Sequence, residues 1–172
     1  MRTLGAVLIS LTLLLTACSG DDGHNDADVA FAQQMVPHHE QAVEMADLAL
    51  ENSSDDDVLS LARMIATEQS QEVRTLRSWL GEWDEDSMAG MDHSDMDGMR
   101  GMASDGDLAD LAEARDAAFD ELWLRLMIAH HEGAIEMAET VIDDGSSDEV
   151  KEFARTVIET QRTEVTRMEG LQ

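Results

Sequence analysis

Residues 35–46 read MVPHHEQAVEMA, and residues 127–138 read MIAHHEGAIEMA. The two stretches lie 92 positions apart, and the same offset aligns residues 31–80 with 123–172 without a gap, with sixteen identities in fifty positions. Unrelated amphipathic helices share an apolar rhythm, but they rarely share histidine, glutamine and methionine at matching positions. We therefore interpret the chain as two copies of one unit.

Each copy reads as a helical hairpin. In the first copy we predict a helix over about 26–51 that begins at Asn25 or Asp26, followed by a second helix that Ser54 caps and Gly81 ends. In this second helix the apolar positions recur every three to four residues, as on one face of a helix, at 58, 61, 65, 73, 76 and 80.

The second copy repeats this pattern with a helix over about 116–143, a turn at 145–147 and a final helix that continues to Gly170, and a short helix near 107–114 precedes it. Residues 81–106 contain five of the eleven glycines and little helical periodicity, which predicts a linker. The folded part, 28–172, then divides into repeat one (28–80), a Met/Gly-rich linker (81–106) and repeat two (107–172). The fold class is all-α, and a four-helix bundle buries every apolar stripe.

The N-terminus has the features of a secretory leader. A basic residue at position 2 precedes an apolar run from Leu4 to Ala17, which is too short to span a bilayer comfortably. It ends in Leu-Thr-Ala-Cys at 15–18, which resembles a bacterial lipobox. We predict a lipoprotein signal peptide over 1–17, a lipidated Cys18, a flexible tether over 18–27, and an extracytoplasmic protein anchored to the cell membrane. The alternative is a buried N-terminal helix that ends in a free thiol.

Charge and composition exclude several function classes. The chain has 38 acidic and 11 basic residues, a formal net charge of −27, so a nucleic-acid backbone is not a partner. Aromatic residues make up only 3%, which disfavours base-stacking platforms. If Cys18 carries lipid, the folded part has no thiol, and any soft metal must be held by methionine and histidine.

The repeated motif gathers such ligands on one helix face. At 100° per residue, Met35, His38, His39 and Met45 fall within an arc of about 120°. The second copy places four equivalent residues in the same register, namely Met127, His130, His131 and Met137. One inward stripe of each copy therefore carries two imidazoles and two thioethers.

The type of ligand indicates the metal. A di-iron bundle uses inward carboxylates, usually as Glu-x-x-His, but here Met35 and Met127 stand three residues before a histidine. Thioether and imidazole favour copper, with Cu(I) preferred and Cu(II) an open alternative. The competing interpretation is that the methionines fill the core and that each histidine is a hydrogen-bonded core residue.

The second helix of each copy carries the same polar pair, Gln69 with Glu72 in the first copy and Gln161 with Glu164 in the second. These residues are candidates for accepting an imidazole N–H and fixing its tautomer. The alternative is ordinary polarity at a helix boundary.

The linker contains a second candidate ligand set. Five methionines and one histidine lie within fifteen residues, interleaved with Gly, Asp and Ser: Met88, Met91, His93, Met96, Met99 and Met102. A flexible array of this type can wrap Cu(I) without preformed structure. The alternative is a disordered linker that is rich in methionine by chance.

The two quoted motifs resemble those of the CopM-like family, a domain-of-unknown-function family, over roughly residues 26–171. The resemblance implies a ferritin-like bundle and an extracytoplasmic Met/His protein, with copper binding and resistance reported for some members. It also implies that both Met/His sets and the linker methionines are ligands. Ala129 departs from the proline that this motif often contains and that the first copy has as Pro37.

The function that we expect from the sequence is copper binding for sequestration, tolerance or hand-over. The expected partners are the metal ion, the bilayer through Cys18, and a copper-handling protein. Two alternatives stay open, a metal-dependent oxidase of ferritin-like type and a metal-free helical interaction protein. We identify no catalytic constellation in the sequence, so an enzyme is not the favoured reading.

Overall fold

The computed structural model describes residues 23–86 and 99–172, and five helices lie within these ranges. They are α1 (Asp26–Asn52), α2 (Asp56–Glu82), α3 (Asp105–Glu113), α4 (Asp116–Asp144) and α5 (Asp148–Glu169). The all-α class is confirmed. None of these helices is long and apolar enough to cross a membrane. The predicted leader, the lipidation site and part of the linker ligand set lie outside the described residues, namely Cys18, Met88, Met91, His93 and Met96.

The helices pair as the duplication predicts. Helix α1 packs against α2, and α4 packs against α5, so each copy forms a hairpin. The two hairpins meet mainly through α1 and α4, and the short α3 contacts both of these helices. The predicted bundle of two duplicated hairpins is therefore confirmed.

Reciprocal contacts at the two ends of the bundle make α1 and α4 antiparallel. The buried Asp28, near the start of α1, accepts hydrogen bonds on Oδ2 from the backbone N–H groups of Ser146 and Ser147, which follow α4. At the opposite end, the Ser53 hydroxyl after α1 donates to Asp120 near the start of α4. Asp28 and Asp120 occupy equivalent positions in the two copies, so each copy caps the turn of the other.

The helix starts follow local capping chemistry. Asn25, one of the two starts that the sequence predicts, caps α1, and its side chain accepts the N–H groups of Ala27 and Asp28. The N-cap of α2 is Asp55, and the prediction of Ser54 was wrong by one residue. The reason is that the Asp55 carboxylate accepts two backbone N–H groups of the first turn, whereas the Ser54 hydroxyl donates to Asp116 across the hairpins.

The end of α2 also differs from the prediction that Gly81 terminates it. The helix continues to Glu82, and Asp84 with φ 58° takes the left-handed position that glycine was expected to occupy. The Glu85 N–H then donates to the Leu80 carbonyl at 2.9 Å and closes the helix end. The added residues let Trp83 stack on His24, with 4.4 Å between the ring centroids.

Two apolar clusters fill the bundle. One lies toward the C-terminal end of α1 and contains Met45, Met127 and Trp123. The other lies toward the N-terminal end of α1 and contains Met35, Met137 and Phe31. Helix α1 continues through Pro37, where the sequence predicts the loss of one backbone hydrogen bond. In each motif the two histidines come between the methionines that belong to the two clusters. All four histidines are fully buried.

The end of the linker is fixed across α1 and α4. The Gln41 side chain donates to the Ala103 carbonyl at 2.9 Å and accepts the Ala103 N–H at 2.8 Å. In the second copy the equivalent residue is Gly133, and a Cβ there would lie 2.1 Å from the Arg100 carbonyl oxygen. The missing side chain at Gly133 therefore makes the room that this segment occupies.

We predict that Gly133→Ala lowers the free energy of unfolding by about 1–3 kcal/mol, because either α4 or the linker end must shift. The measurement is urea unfolding at pH 7. Gly81→Ala is the matched control: no heavy atom lies within 4 Å of its Cβ, and we expect a gain of about 0.5 kcal/mol from helix propensity. Equal effects of the two substitutions would contradict the close packing at Gly133.

Candidate metal centre

Nine polar side chains from the four long helices form a central polar layer in the bundle. Most are buried: all four motif histidines, both glutamines and Glu164 are at most 3% exposed. The layer consists of His38 and His39 on α1, Glu68, Gln69 and Glu72 on α2, His130 and His131 on α4, and Gln161 and Glu164 on α5. The sequence predicted all of these residues except Glu68 as site residues.

The layer is centred on a contact between two imidazoles. The ring centroids of His38 and His130 lie 3.7 Å apart, and the ring planes are inclined by 37°. Burial, followed by the charge of the neighbouring His39, lowers the pKa of His38 to about 3. Burial, followed by the charge of His38, lowers the pKa of His130 well below its usual value. Both rings are therefore neutral at physiological pH.

The outward nitrogens of the histidines face oxygen atoms. His38 Nε2 lies 3.0 Å from the Arg100 carbonyl oxygen, and His131 Nε2 lies 2.8 Å from Glu164 Oε2. His39 Nε2 lies 2.8 Å from Glu72 Oε2, an ion-pair contact that is not a hydrogen bond. A carbonyl oxygen or a carboxylate can only accept a hydrogen bond, so Nε2 of His38 and His131 carries the N–H. Their Nδ1 atoms then carry the lone pairs.

These lone pairs have no hydrogen-bond donor among the described residues. The buried ring nitrogens without a hydrogen-bond partner are Nδ1 of His38 and His131 and both nitrogens of His39 and of His130. Both amide groups, of Gln69 and Gln161, also lack partners, so the amides do not hold the imidazoles as the sequence predicted. A buried polar atom without a partner costs about 1–3 kcal/mol. The layer therefore leaves several buried lone pairs without a donor among the described residues.

Glu68 is a member of the layer that the sequence did not reveal. Burial, followed by the nearby charges of Glu164 and Glu72 and a hydrogen bond with Glu164, raises its pKa. The equivalent residue in the second copy is Thr160, so the repeat comparison that found the other residues could not find Glu68. In the sequence, Glu68 is marked only by its position directly before Gln69, which the structure shows to be buried.

The methionines of the two motifs flank the layer. Met35, Met45 and Met127 are fully buried, and Met137 is 8% exposed. Met35 and Met137 share one apolar cluster, while Met45 and Met127 share the other. Met99 and Met102 lie on the linker end that carries the Arg100 carbonyl, and both are half-buried. The structure thus places thioethers from both helices on either side of the imidazoles.

Histidine and carboxylate side chains alone do not complete a metal site. Within residues 23–86 and 99–172, no group of three or more His, Cys, Asp or Glu side chains is placed to hold a metal ion.

Comparison with known proteins identifies the fold. The family model described as Domain of unknown function (DUF305) matches residues 28–172. A DUF305 fragment from Deinococcus radiodurans is 35% identical with a TM-score of 0.78, over 86% of this chain and 95% of that chain. A DUF305 protein from Streptomyces coelicolor, described as secreted, is 30% identical with a TM-score of 0.75, over 88% and 92%.

A third similar structure is that of CopM in its Cu(I)-bound form. It is 28% identical with a TM-score of 0.70, over 84% of this chain and 94% of that chain. CopM has also been solved in Cu(II)-bound and silver-bound forms. No curated protein matches the chain.

We predict that the metal-free protein loses stability as the pH falls below about 6.5. The unfolded chain binds protons on His38 and His130 at their ordinary pKa, whereas the folded chain does not until about pH 3 for His38. Stability is therefore complete above about pH 6.5 and is lost on acidification. Between pH 7 and 5.5 the loss is about 1 kcal/mol for each histidine.

The measurement is urea unfolding at several pH values with a chelator present, compared with the variant His38→Leu/His130→Leu. The variant also carries the acidic surface, so the difference between the two pH profiles isolates the two histidines. Parallel profiles would contradict the buried neutral state.

Proposed function

This chain is a member of the DUF305 family, and we propose that it binds copper, chiefly as Cu(I), as an extracytoplasmic lipid-anchored protein. The purpose of binding is sequestration, tolerance or hand-over of the ion. The central polar layer is the observation that carries this proposal. It combines buried neutral imidazoles, lone pairs without donors, and thioethers on both sides.

The donor chemistry favours a soft monovalent ion. Neutral imidazole nitrogen and thioether sulfur bind Cu(I) well, whereas iron and manganese prefer the hard oxygen donors that are scarce between α1 and α4. Bringing a divalent ion into this apolar interior also carries a larger desolvation cost than a monovalent ion does. The ligands that we propose in the bundle are the two motif sets, Met35, His38, His39, Met45, Met127, His130, His131 and Met137.

The outer helices orient these ligands. Glu164 and Glu72 lie on the outward nitrogens of His131 and His39, so each imidazole presents its other nitrogen to the interior. A carboxylate in this position also raises the basicity of the imidazole as a ligand. The Arg100 carbonyl performs the same task for His38.

Three further observations support the proposal. CopM, which shares this fold at 28% identity, has been solved with Cu(I) bound. A family member from Streptomyces coelicolor is described as secreted, in agreement with the leader and lipobox-like sequence before Cys18. The net charge of −27 raises the local concentration of cations around the protein.

The linker residues Met88, Met91, His93, Met96, Met99 and Met102 are proposed as additional ligands.

We predict that Met35→Leu/Met127→Leu lowers the Cu(I) affinity of the bundle site at least about tenfold, because each substitution removes a thioether and keeps an apolar side chain of similar volume. The measurement is titration of residues 19–172 with Cu(I) against a competing chelator. Met88, Met91 and Met96 are replaced by leucine in all samples so that they do not bind the ion.

Met168→Leu is the matched control, because Met168 is also fully buried but lies outside both motifs. Its affinity should equal that of the parent. If the parent binds no Cu(I), or if the double variant binds as tightly as the parent, the bundle site does not exist as proposed.

We also predict that Glu164→Gln weakens Cu(I) binding about 10- to 100-fold, because an amide holds the His131 N–H less strongly than a carboxylate does. The same chelator competition measures it. Glu159→Gln, an exposed change on the same helix, removes the same charge and should leave the affinity unchanged. Equal affinities of the two variants would show that the carboxylate at Glu164 does not act on the metal site.

A further inference from the structure

We propose that the groove at Met99 and Met137 is the capture site at which a soft monovalent metal ion first binds before it enters the bundle. This inference rests on the proposed function and adds to it the route of the ion. The observation behind it is that the two ends of the bundle, which the two copies build from equivalent positions, differ in side-chain size.

The groove has a volume of about 500 Å³ and lies between the start of α1 and the end of α4. Met99 of the linker end and Met137 of α4 both line it, so two methionines border the same space. Met137 is also the most exposed of the four motif methionines, at 8%, whereas Met35, Met45 and Met127 are at 0%. It belongs to the same apolar cluster as Met35 and therefore connects the groove to the interior.

The equivalent position at the other end of the bundle is closed. Met45 is the counterpart of Met137, and it packs in a cluster with Trp123, whose indole N–H donates to the Met45 carbonyl at 2.9 Å. The α1 residues that line the groove are Ala27, Ala30, Phe31 and Gln34. Their counterparts at the offset of 92 are Phe119, Leu122, Trp123 and Leu126, all of which pack in the closed cluster.

Three of these four pairs replace a large apolar side chain by a smaller one, and the fourth replaces leucine by the polar Gln34. Helix α3 adds Leu108 and Leu111 to the closed cluster. The loss of bulk is thus confined to one end, and it exposes one methionine of the repeated pair. A groove that resulted only from poor packing would lower stability and would have no particular position relative to the ligands. This groove instead borders Met137, a methionine of the repeated motif.

Among the described residues, the one charged side chain that lines the groove is that of Arg100, which lies 3.2 Å from the Glu136 carboxylate in an exposed ion pair. Thioethers carry no charge, so a monovalent ion is bound there without proton release. Capture is a ligand exchange in which the ion leaves its carrier or chelator and gains two sulfur donors, and no electron is transferred. Met137 lies about two helical turns beyond His130 on α4, in the same apolar cluster as Met35.

The kinetic test uses the full chain with Met88, Met91 and Met96 replaced by leucine, and it follows transfer of Cu(I) from a coloured chelator by stopped flow. The variant Ala30→Leu/Phe31→Trp introduces the side chains of the closed end. We expect it to slow transfer about tenfold or more and to leave the equilibrium affinity nearly unchanged. Met137→Leu should also slow transfer, whereas Met45→Leu at the closed end should lower affinity without slowing association.

A second measurement needs no groove variant. Dilute peroxide should oxidise Met137 and Met99 faster than Met45, and Ag(I) should protect both from oxidation, as read by peptide mass spectrometry. Met64, which is half-buried and lies outside the groove, is the control that silver should not protect.

The outcomes separate the two proposals. If the parent binds no Cu(I), the proposed function fails. If the parent binds Cu(I) but Ala30→Leu/Phe31→Trp takes it up at the same rate, or if silver leaves Met137 and Met99 unprotected, the groove is not the capture site and the bundle site stands. Binding of an apolar molecule that blocks oxidation where silver does not would also overturn the inference.

Discussion

The contact between the His38 and His130 rings, 3.7 Å apart in an interior without solvent exposure, is the constraint on which the rest of the structure depends. Burial and mutual repulsion disfavour the charged form of both rings, so both imidazoles are neutral. The Arg100 carbonyl oxygen accepts the N–H of His38, and Glu164 on α5 accepts that of the adjacent His131. The linker end and the outer helices are therefore part of the site.

The sequence alone predicted much of this architecture, and the reasons are local or repetitive. The 92-residue offset revealed both hairpins, and the helical periodicity placed the motif histidines and methionines on the buried side. Capping of α1 by Asn25 followed from chemistry within three residues. The start and end of α2 were less accurate, because Ser54 bonds to Asp116 of the other copy and Trp83 stacks on His24, and neither contact is visible in local sequence.

The parts of the site that escaped prediction are those that the two copies do not share. The acceptor on His38 is a backbone carbonyl 62 residues away, and no side-chain pattern identifies such a group. Glu68 has Thr160 as its counterpart, so a search for repeated residues passes over it. The same holds for Gly133 opposite Gln41, where one copy clamps the linker end and the other makes room for it. The residues that the two copies share determine the helical framework, and the residues that differ between them make the site asymmetric.

The exchange of caps between the copies, in which Asp28 bonds the turn after α4 and Asp120 bonds the turn after α1, has an evolutionary consequence. Reciprocal contacts of this kind are those of a twofold-symmetric dimer, in which one surface pairs with itself. A lone hairpin with both an aspartate and a serine turn carries everything needed to associate with an identical chain. Fusion of two such ancestors would retain the pairing while releasing each half from the requirement to match its twin.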